Sequence, residues 1–211
     1  MSASRLVAFA LTSFVIILVP GPSVLFVLAR GIAWGRAVAL FTVLGNSLGV
    51  LVLSSLVAVG LGSVLTRSVV LTEAIEVAGG CYLVWLGLDA LRHRRAHAEA
   101  MQAGGGPRPS RALAVRQGFV VGLFNPKALV FFVAVFPHFV DTASGHVTLQ
   151  LVMLGLLFAL LALCSDGAWA LGAGATRDRL RAAPRVLVAL RTGGGVVMLG
   201  LGTLIITTAV A

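Results

Sequence analysis

The stretch Phe119–Val140, which reads FVVGLFNPKALVFFVAVFPHFV, decides the fold, because it has the length and apolarity of a membrane span yet contains Asn125-Pro126-Lys127. Proline removes a backbone donor and pushes the preceding residue out of the α region. Broken backbone is tolerated in a bilayer only beside protein or a water-filled cavity. We therefore expect the break to face the protein interior, with the only lysine in the chain just after it.

The sequence leaves two roles open for this lysine. Lys127 should lie near the N-terminal end of the next half-helix, where free N–H groups and the helix dipole favour an anion. In that case the motif predicts a site for a carboxylate or a counter-ion. Alternatively, Pro126 only kinks the helix and Lys127 snorkels to the nearby membrane interface.

The composition is that of a polytopic membrane protein. Of the 211 residues, 59% are hydrophobic and only 11% are charged, and the mean hydropathy is +1.04. A soluble domain would have no place for so much apolar surface. We therefore predict an all-α membrane protein that forms one transmembrane domain with short loops.

Apolar segments predict six transmembrane helices, of which the first and the fourth are broken at proline motifs. The break in the first span is Pro20-Gly21-Pro22-Ser23, and that in the fourth is Asn125-Pro126-Lys127. The first span has no small-residue cleavage site after it, which argues against a secretory signal. The predicted spans are Leu6–Ala29, Ala37–Leu65, Val69–Leu91, Phe119–Val140, Val147–Ala175 and Gly193–Val210.

The spans divide into two halves, residues 1–91 and 117–211, joined by an arginine-rich cytoplasmic loop over 92–116. Three spans in each half give the halves opposite orientations, and a broken span opens each one. This is the pattern of a 3+3 inverted repeat with a transport site at the repeat interface. Strict inverted symmetry would place both breaks at the same distance from the start of their spans. The predicted distances differ, because Pro20 lies about 21 Å from the outer end of its span and Pro126 only about 11 Å from the inner end of its own.

The distribution of basic residues predicts the orientation. With both termini outside, 13 of the 16 lysines and arginines face the cytoplasm. The net charge of +9 then reflects arginine-rich loops that meet anionic membrane lipids. No binding module or interleaved aromatic pattern indicates a nucleic-acid partner.

Lys127 and Asp166 are ionisable residues inside predicted spans, where such residues are functional candidates by default. A zwitterion with a carboxylate and an ammonium would complement this pair; alternatively, the two side chains form a structural ion pair with each other. Asp166 is also a candidate proton carrier. Asn46, between Gly45 and Gly49, either bonds across a helix interface or lines a cavity.

Several motifs occur in a fixed order along nearly the whole chain. They are Pro20-Gly21-Pro22, Ala78–Gly87 (AGGCYLVWLG), Arg116-Gln117-Gly118-Phe119 before Asn125-Pro126-Lys127, and Phe136-Pro137-His138-Phe139. In combination they resemble the LysE/RhtB family of bacterial amino-acid exporters. The resemblance implies a multi-pass protein of the bacterial inner membrane that exports amino acids, uses the proton gradient, needs no cofactor and often forms homo-oligomers.

The resemblance also implies where the transport site lies. The family's motif positions are Pro20, Gly21, Pro22, Asn125, Pro126, Lys127 and Asp166, and we add Ser23 and Asn46 as candidate binding residues. The chain departs from its relatives at Val50, where they often carry a polar or acidic residue. Because this leaves fewer carboxylates for a cationic substrate, we expect export of neutral amino acids or derivatives of the homoserine, threonine or leucine type.

Other functions remain as alternatives. Export of a cation, either a basic amino acid or a metal ion, would require a further buried acid. A thiol–disulfide electron carrier would require reactive paired cysteines, but Cys81 and Cys164 are far apart and are predicted to be small packing residues. An intramembrane hydrolase is disfavoured because all four histidines fall in loops or at span ends. We therefore predict neither catalytic nor metal-binding residues.

Overall fold

The computed structural model describes residues 2–65, 69–96, 108–175 and 184–209, and over these ranges the chain is helical without any strand. This confirms the predicted all-α class. The main helices are α1 (Ala3–Leu18), α2 (Pro22–Trp34), α3 (Arg36–Leu65), α4 (Val69–Arg92), α5 (Arg111–Leu123), α6 (Pro126–Phe139), α7 (Val147–Ala175) and α8 (Pro184–Ala209).

Within the described part of the chain, two helices are long and apolar enough to cross a membrane alone. They are α3 over Arg36–Gly60, with a mean hydropathy of 2.0, and α7, with a mean hydropathy of 2.5. The pairs α1–α2 and α5–α6 reach the same length only as bent spans, with bends of 51° and 43°. The polytopic membrane fold with two broken spans is thus confirmed, whereas the count of six spans remains a prediction.

The proline motifs break the two bent spans as their chemistry predicts. Val19 and Gly21 are extended, with ψ of 114° and −173°, and α2 then begins at Pro22. In the second bent span Asn125 has a ψ of 106°, and α6 begins at Pro126. Proline is favoured at the first helical position because its missing N–H would have no partner there. Each break therefore ends one half-helix and starts another.

The fourth span begins earlier than predicted, at Arg111 instead of Phe119. The side chain of Ser110 accepts a hydrogen bond from the Leu113 N–H at 3.2 Å and caps α5, so the last residues of the predicted 92–116 loop are helical. Counted from Arg111, Pro126 lies about 22 Å along its span. Counted from Ala3, Pro20 lies about 25 Å along its own span, so the predicted difference of about 10 Å between the two depths shrinks to about 3 Å.

The predicted start of the last helix was also too late. Helix α8 begins at Pro184, nine residues before the predicted Gly193. The first turns of α8, like those of α5, contain arginines, and for this reason the sequence predicted loops there.

The packing of the helices follows the pattern of an inverted repeat. The second and third spans of each half pack against their counterparts, α3 on α7 and α4 on α8. In this repeat α1, α2, α3 and α4 correspond to α5, α6, α7 and α8. Helix α2 packs on α7, and its counterpart α6 packs on α3. Helix α1 likewise packs on α7, and its counterpart α5 packs on α3. These contacts are matched by their equivalents in the other half and support the predicted 3+3 arrangement, whereas the contact of α4 with α6 has no equally extensive counterpart between α8 and α2 over the described residues.

Aromatic side chains hold α6 in place after the break. Phe131, Phe132 and Phe136 of α6 are fully buried and contact Phe9 of α1 and Phe158 of α7, with ring centroids 4.8 to 6.1 Å apart. Such close-packed rings leave little room for α6 to shift alone. The start of α6 is therefore positioned on a rigid element.

The two cysteines are not packing residues, contrary to the prediction. Cys81 on α4 and Cys164 on α7 are exposed and unpaired. In a membrane-spanning chain such outward positions face lipid or another protein, where a small side chain is as well accommodated as in a core.

Glycines allow α3 and α5 to approach until their backbones touch. A methyl group at Gly118 would overlap the Thr42 carbonyl oxygen. We therefore expect Gly118→Ala to lower the free energy of unfolding by about 1 to 3 kcal/mol, because the helices must separate. The measurement is the thermal midpoint of the purified protein in detergent. Gly167→Ala is the control, since no atom lies within 4 Å of its added methyl; equal midpoints for the two variants would contradict the close approach.

Candidate functional site

A buried cavity of about 30 Å³ lies where the break between α1 and α2 meets the start of α6. Among its described lining residues, Lys127 is the only cation and Asp166 the only carboxylate. The lining residues are Ile16, Ile17, Ser23, Val24, Asn46, Val50, Asn125, Lys127, Ala128, Phe131, Phe158, Ala162 and Asp166.

The structure brings five of the predicted site residues to this cavity, namely Ser23, Asn46, Asn125, Lys127 and Asp166. The other four form the two breaks. Pro20 and Gly21 are buried in the α1–α2 connection, Pro126 is the first residue of α6, and Pro22 begins α2, although its side chain lies outside the described atoms.

The side chain of Lys127 reaches from one half of the protein to the break in the other half. It is 7% exposed, and its Nζ donates a hydrogen bond to the carbonyl oxygen of Val19. That carbonyl lacks its helical partner because α1 ends there. The lysine therefore does not snorkel to the interface; its burial instead satisfies a backbone group that the break has freed.

Asn125 joins the two breaks. Its Oδ1 accepts hydrogen bonds from the N–H groups of Lys127 and Ala128, at 3.1 and 3.5 Å, and so caps α6. Its Nδ2 donates to the Ser23 hydroxyl oxygen at 3.0 Å. Helix α2 has Gly21 at the corresponding position and no side-chain cap. The first N–H groups of α6 are therefore already bonded to Asn125, whereas the N-terminus of α2, which lies beside Lys127, has no side-chain cap.

Asp166 and Asn46 provide hydrogen-bond acceptor atoms to the cavity. Asp166 is 3% exposed, and its Oδ2 accepts a hydrogen bond from Asn46 Nδ2 at 2.9 Å. The Oδ1 atom of Asn46 is buried and has no hydrogen-bond partner among the described residues. A buried acceptor without a donor is costly, so this oxygen and the Asp166 carboxylate favour an ammonium group or a water molecule.

The two charged side chains do not form a closed ion pair with each other. Over the described ranges, ion pairs within 4 Å join Arg5 to Asp141 and Asp89 to His93, and none joins Lys127 to Asp166. Each is instead held by a neutral partner, Val19 for the lysine and Asn46 for the aspartate. Both charges therefore remain available to a molecule in the cavity.

The rest of the cavity wall is apolar, and no pattern in the sequence distinguishes its residues from other apolar residues of the spans. Ile16, Ile17, Val24, Phe131 and Phe158 line it. Val50, at the position where the exporters often carry a polar or acidic residue, is 2% exposed and also lines the cavity. This position therefore does not add a second carboxylate to the cavity.

The contact between Lys127 and Gly21 gives a test of this geometry. A methyl group at position 21 would come within 2.7 Å of Lys127 Cδ. Because the lysine chain can bend away, we expect Gly21→Ala to fold normally but to displace the ammonium, and so to reduce the export that the resemblance implies by roughly 100-fold. The measurement is the initial efflux rate per folded molecule. Gly60→Ala, which meets no atom within 4 Å, serves as the control; unchanged efflux in Gly21→Ala would show that the ammonium position does not matter.

Comparison with known proteins gives a consistent result. Residues 14–209 match the LysE type translocator family. An uncharacterized membrane protein of Vibrio cholerae serotype O1 is 29% identical over 95% of both chains. A leucine efflux protein of Enterobacter sp. (strain 638) is 32% identical over 72% of both chains, and a homoserine/homoserine lactone efflux protein of Salmonella typhi is 31% identical over 69% of both. No solved structure matches the chain significantly.

Proposed function

Because the chain belongs to the LysE type translocator family, we propose that it is a secondary active exporter of neutral amino acids or close derivatives, of the leucine, homoserine or threonine type. The observation that carries the proposal is the pair Lys127 and Asp166, buried on one cavity with opposite charge and without a mutual ion pair. The names of the relatives, as efflux proteins for leucine and homoserine, point to the same class of substrate.

The geometry suggests how an amino acid would bind. Its carboxylate would lie between the Lys127 ammonium and the uncapped N-terminus of α2, both of which favour an anion. Its ammonium would lie against the Asp166 carboxylate and the unpartnered Asn46 Oδ1. Its side chain would then contact the apolar wall, which favours an aliphatic group. A basic side chain is disfavoured because Asp166 is the only described carboxylate on the cavity.

Binding must enlarge the cavity. A volume of about 30 Å³ holds only a few water molecules, far less than an amino acid. The hydrogen bonds from Asn125 to Ser23 and from Lys127 to Val19 join the two half-helix breaks across this cavity. Exchange of these bonds for bonds to a substrate is a simple way for binding to be coupled to the movement of one half against the other.

The proposed membrane orientation rests on the distribution of arginine, and the proposed driving ion rests on the position of Asp166. The excess of arginine in three predicted loops supports an orientation in the bacterial inner membrane with both termini outside. Protons are the proposed driving ion, with Asp166 as the candidate carrier, since it is the buried carboxyl group that faces the cavity. Homo-oligomers are proposed from the resemblance to the exporters alone.

An accumulation screen tests the proposed function. Cells are loaded with each amino acid as a dipeptide, and its intracellular concentration is compared with and without expression of the protein. We expect expression to lower the concentration of one or a few neutral amino acids and to leave lysine and arginine unchanged. If no amino acid responds, the proposed function is wrong.

A further inference from the structure

Arg30 is a second buried cation that the transport site does not include. The sequence places it at the edge of a predicted loop, but it lies within α2 and is 8% exposed. Its guanidinium group lies 4.6 Å from the ring centroid of Phe26 and 4.7 Å from that of Trp34, one turn before and one turn after it. These aromatic faces hold the positive charge in one orientation.

The guanidinium has no carboxylate partner over the described ranges. Its Nη2 donates one hydrogen bond, at 2.5 Å, to Oε1 of Gln117 on α5. The described ion pairs, Arg5 with Asp141 and Asp89 with His93, do not involve it. Arginine has five N–H donors in a planar fork that matches a carboxylate in two-pronged fashion. A guanidinium with a single neutral acceptor thus has unused capacity for an anion.

The position of Arg30 relates it to the transport site. Arg30 follows Ser23 by seven residues, which places both on one face of α2 about 10 Å apart. Gln117 lies on α5, eight residues before Asn125 in the break that follows this helix. The Arg30–Gln117 contact therefore joins the same two bent spans as the Ser23–Asn125 contact, about two turns farther along α2. With both termini outside, this second contact lies on the cytoplasmic side of the cavity.

From this arrangement we propose that Arg30 forms an entry site that binds the carboxylate of a cytoplasmic amino acid before the substrate reaches Lys127. The proposal rests on the proposed export function and orientation. The carboxylate replaces Gln117 as the acceptor for Arg30, which loosens α2 from α5 at the cytoplasmic end. The substrate then moves about two helical turns along the face of α2 to the deeper ammonium of Lys127.

Three substitutions separate this role from a structural one. Arg30→Gln removes the charge, and Gln117→Glu supplies a permanent internal carboxylate that competes with the substrate while strengthening the contact between α2 and α5. Gln117→Met removes the same hydrogen bond but leaves the guanidinium free. The measurement is KM and kcat for uptake of leucine, or of the amino acid that the accumulation screen selects, into inverted membrane vesicles.

We expect KM to rise about tenfold in Arg30→Gln and in Gln117→Glu, the scale of a lost charge-assisted hydrogen bond, and to stay within about twofold in Gln117→Met. Gln117→Glu keeps the test decisive if Arg30→Gln fails to fold. An unchanged KM in Gln117→Glu, or an equal rise in Gln117→Met, would overturn the entry site while wild-type transport still supports the exporter. Absence of transport by wild-type protein would instead refute the export function itself.

Discussion

Replacement of Lys127 by methionine is expected to reduce efflux by about 100-fold, the scale of a lost charged hydrogen bond of 1.5 to 3 kcal/mol. Methionine keeps the unbranched stem that lies against Gly21 but removes the ammonium. The carboxylate of the substrate then loses its cationic partner, and the Val19 carbonyl loses its donor. The measurement is the initial rate of amino-acid uptake into inverted vesicles, normalised to the amount of folded protein.

Leu129→Met provides the matched control for this substitution. It introduces the same side chain two residues farther along α6, at a position that is exposed on the helix surface. Wild-type efflux is expected in this control. If Lys127→Met and Leu129→Met transport equally well, the cavity that contains Lys127 is not the substrate path.

Replacement of Asp166 by asparagine is expected to reduce the rate of net export by about 100-fold. It is expected to reduce the exchange of labelled for unlabelled amino acid across the membrane by the same factor. Exchange requires substrate binding but no net proton movement. Because Asn46 Oδ1 lies unpartnered and Asn46 Nδ2 binds Asp166 at 2.9 Å, we assign this end of the cavity to the substrate ammonium. The measurement compares net uptake and exchange in the same proteoliposomes.

The comparison distinguishes two roles for the carboxylate. If Asp166→Asn loses net export but exchanges at the wild-type rate, Asp166 carries the proton and does not bind the substrate. Asp141→Asn is the control, because Asp141 is a partly exposed carboxylate in an ion pair with Arg5 at 3.6 Å, away from the cavity. Full activity of both variants would remove Asp166 from the mechanism.

The sequence predicted the features that follow from local chemistry. Pro22 and Pro126 fix where two helices start, and Pro20 lies in the connection before the first of these, so the two breaks and the extended Asn125 could be placed in advance. The rarity of Lys127 and Asp166 within apolar segments was enough to select them as candidate site residues, and the structure places both on one cavity.

The remaining features depend on long-range contacts that no local pattern encodes. The start of α5 was misplaced because Arg111 and Arg116 resemble loop residues, although both are helical. The hydrogen bond from Lys127 to the Val19 carbonyl joins the two breaks, which are far apart in the sequence, so no local pattern predicts it. Arg30 was taken for a loop residue, but the spacing Phe26-Arg30-Trp34 is that of one helix face and would have indicated a buried, aromatic-flanked cation.

Because Lys127 is the only lysine in the chain, its contact with the substrate can be measured directly. Protein labelled with lysine that carries nitrogen-15 at the ε position gives a single ammonium signal in nuclear magnetic resonance. If the carboxylate of the substrate binds to Lys127, this signal shifts on addition of a transported amino acid and saturates with it. A signal that stays unchanged at concentrations that saturate transport would show that the substrate binds elsewhere.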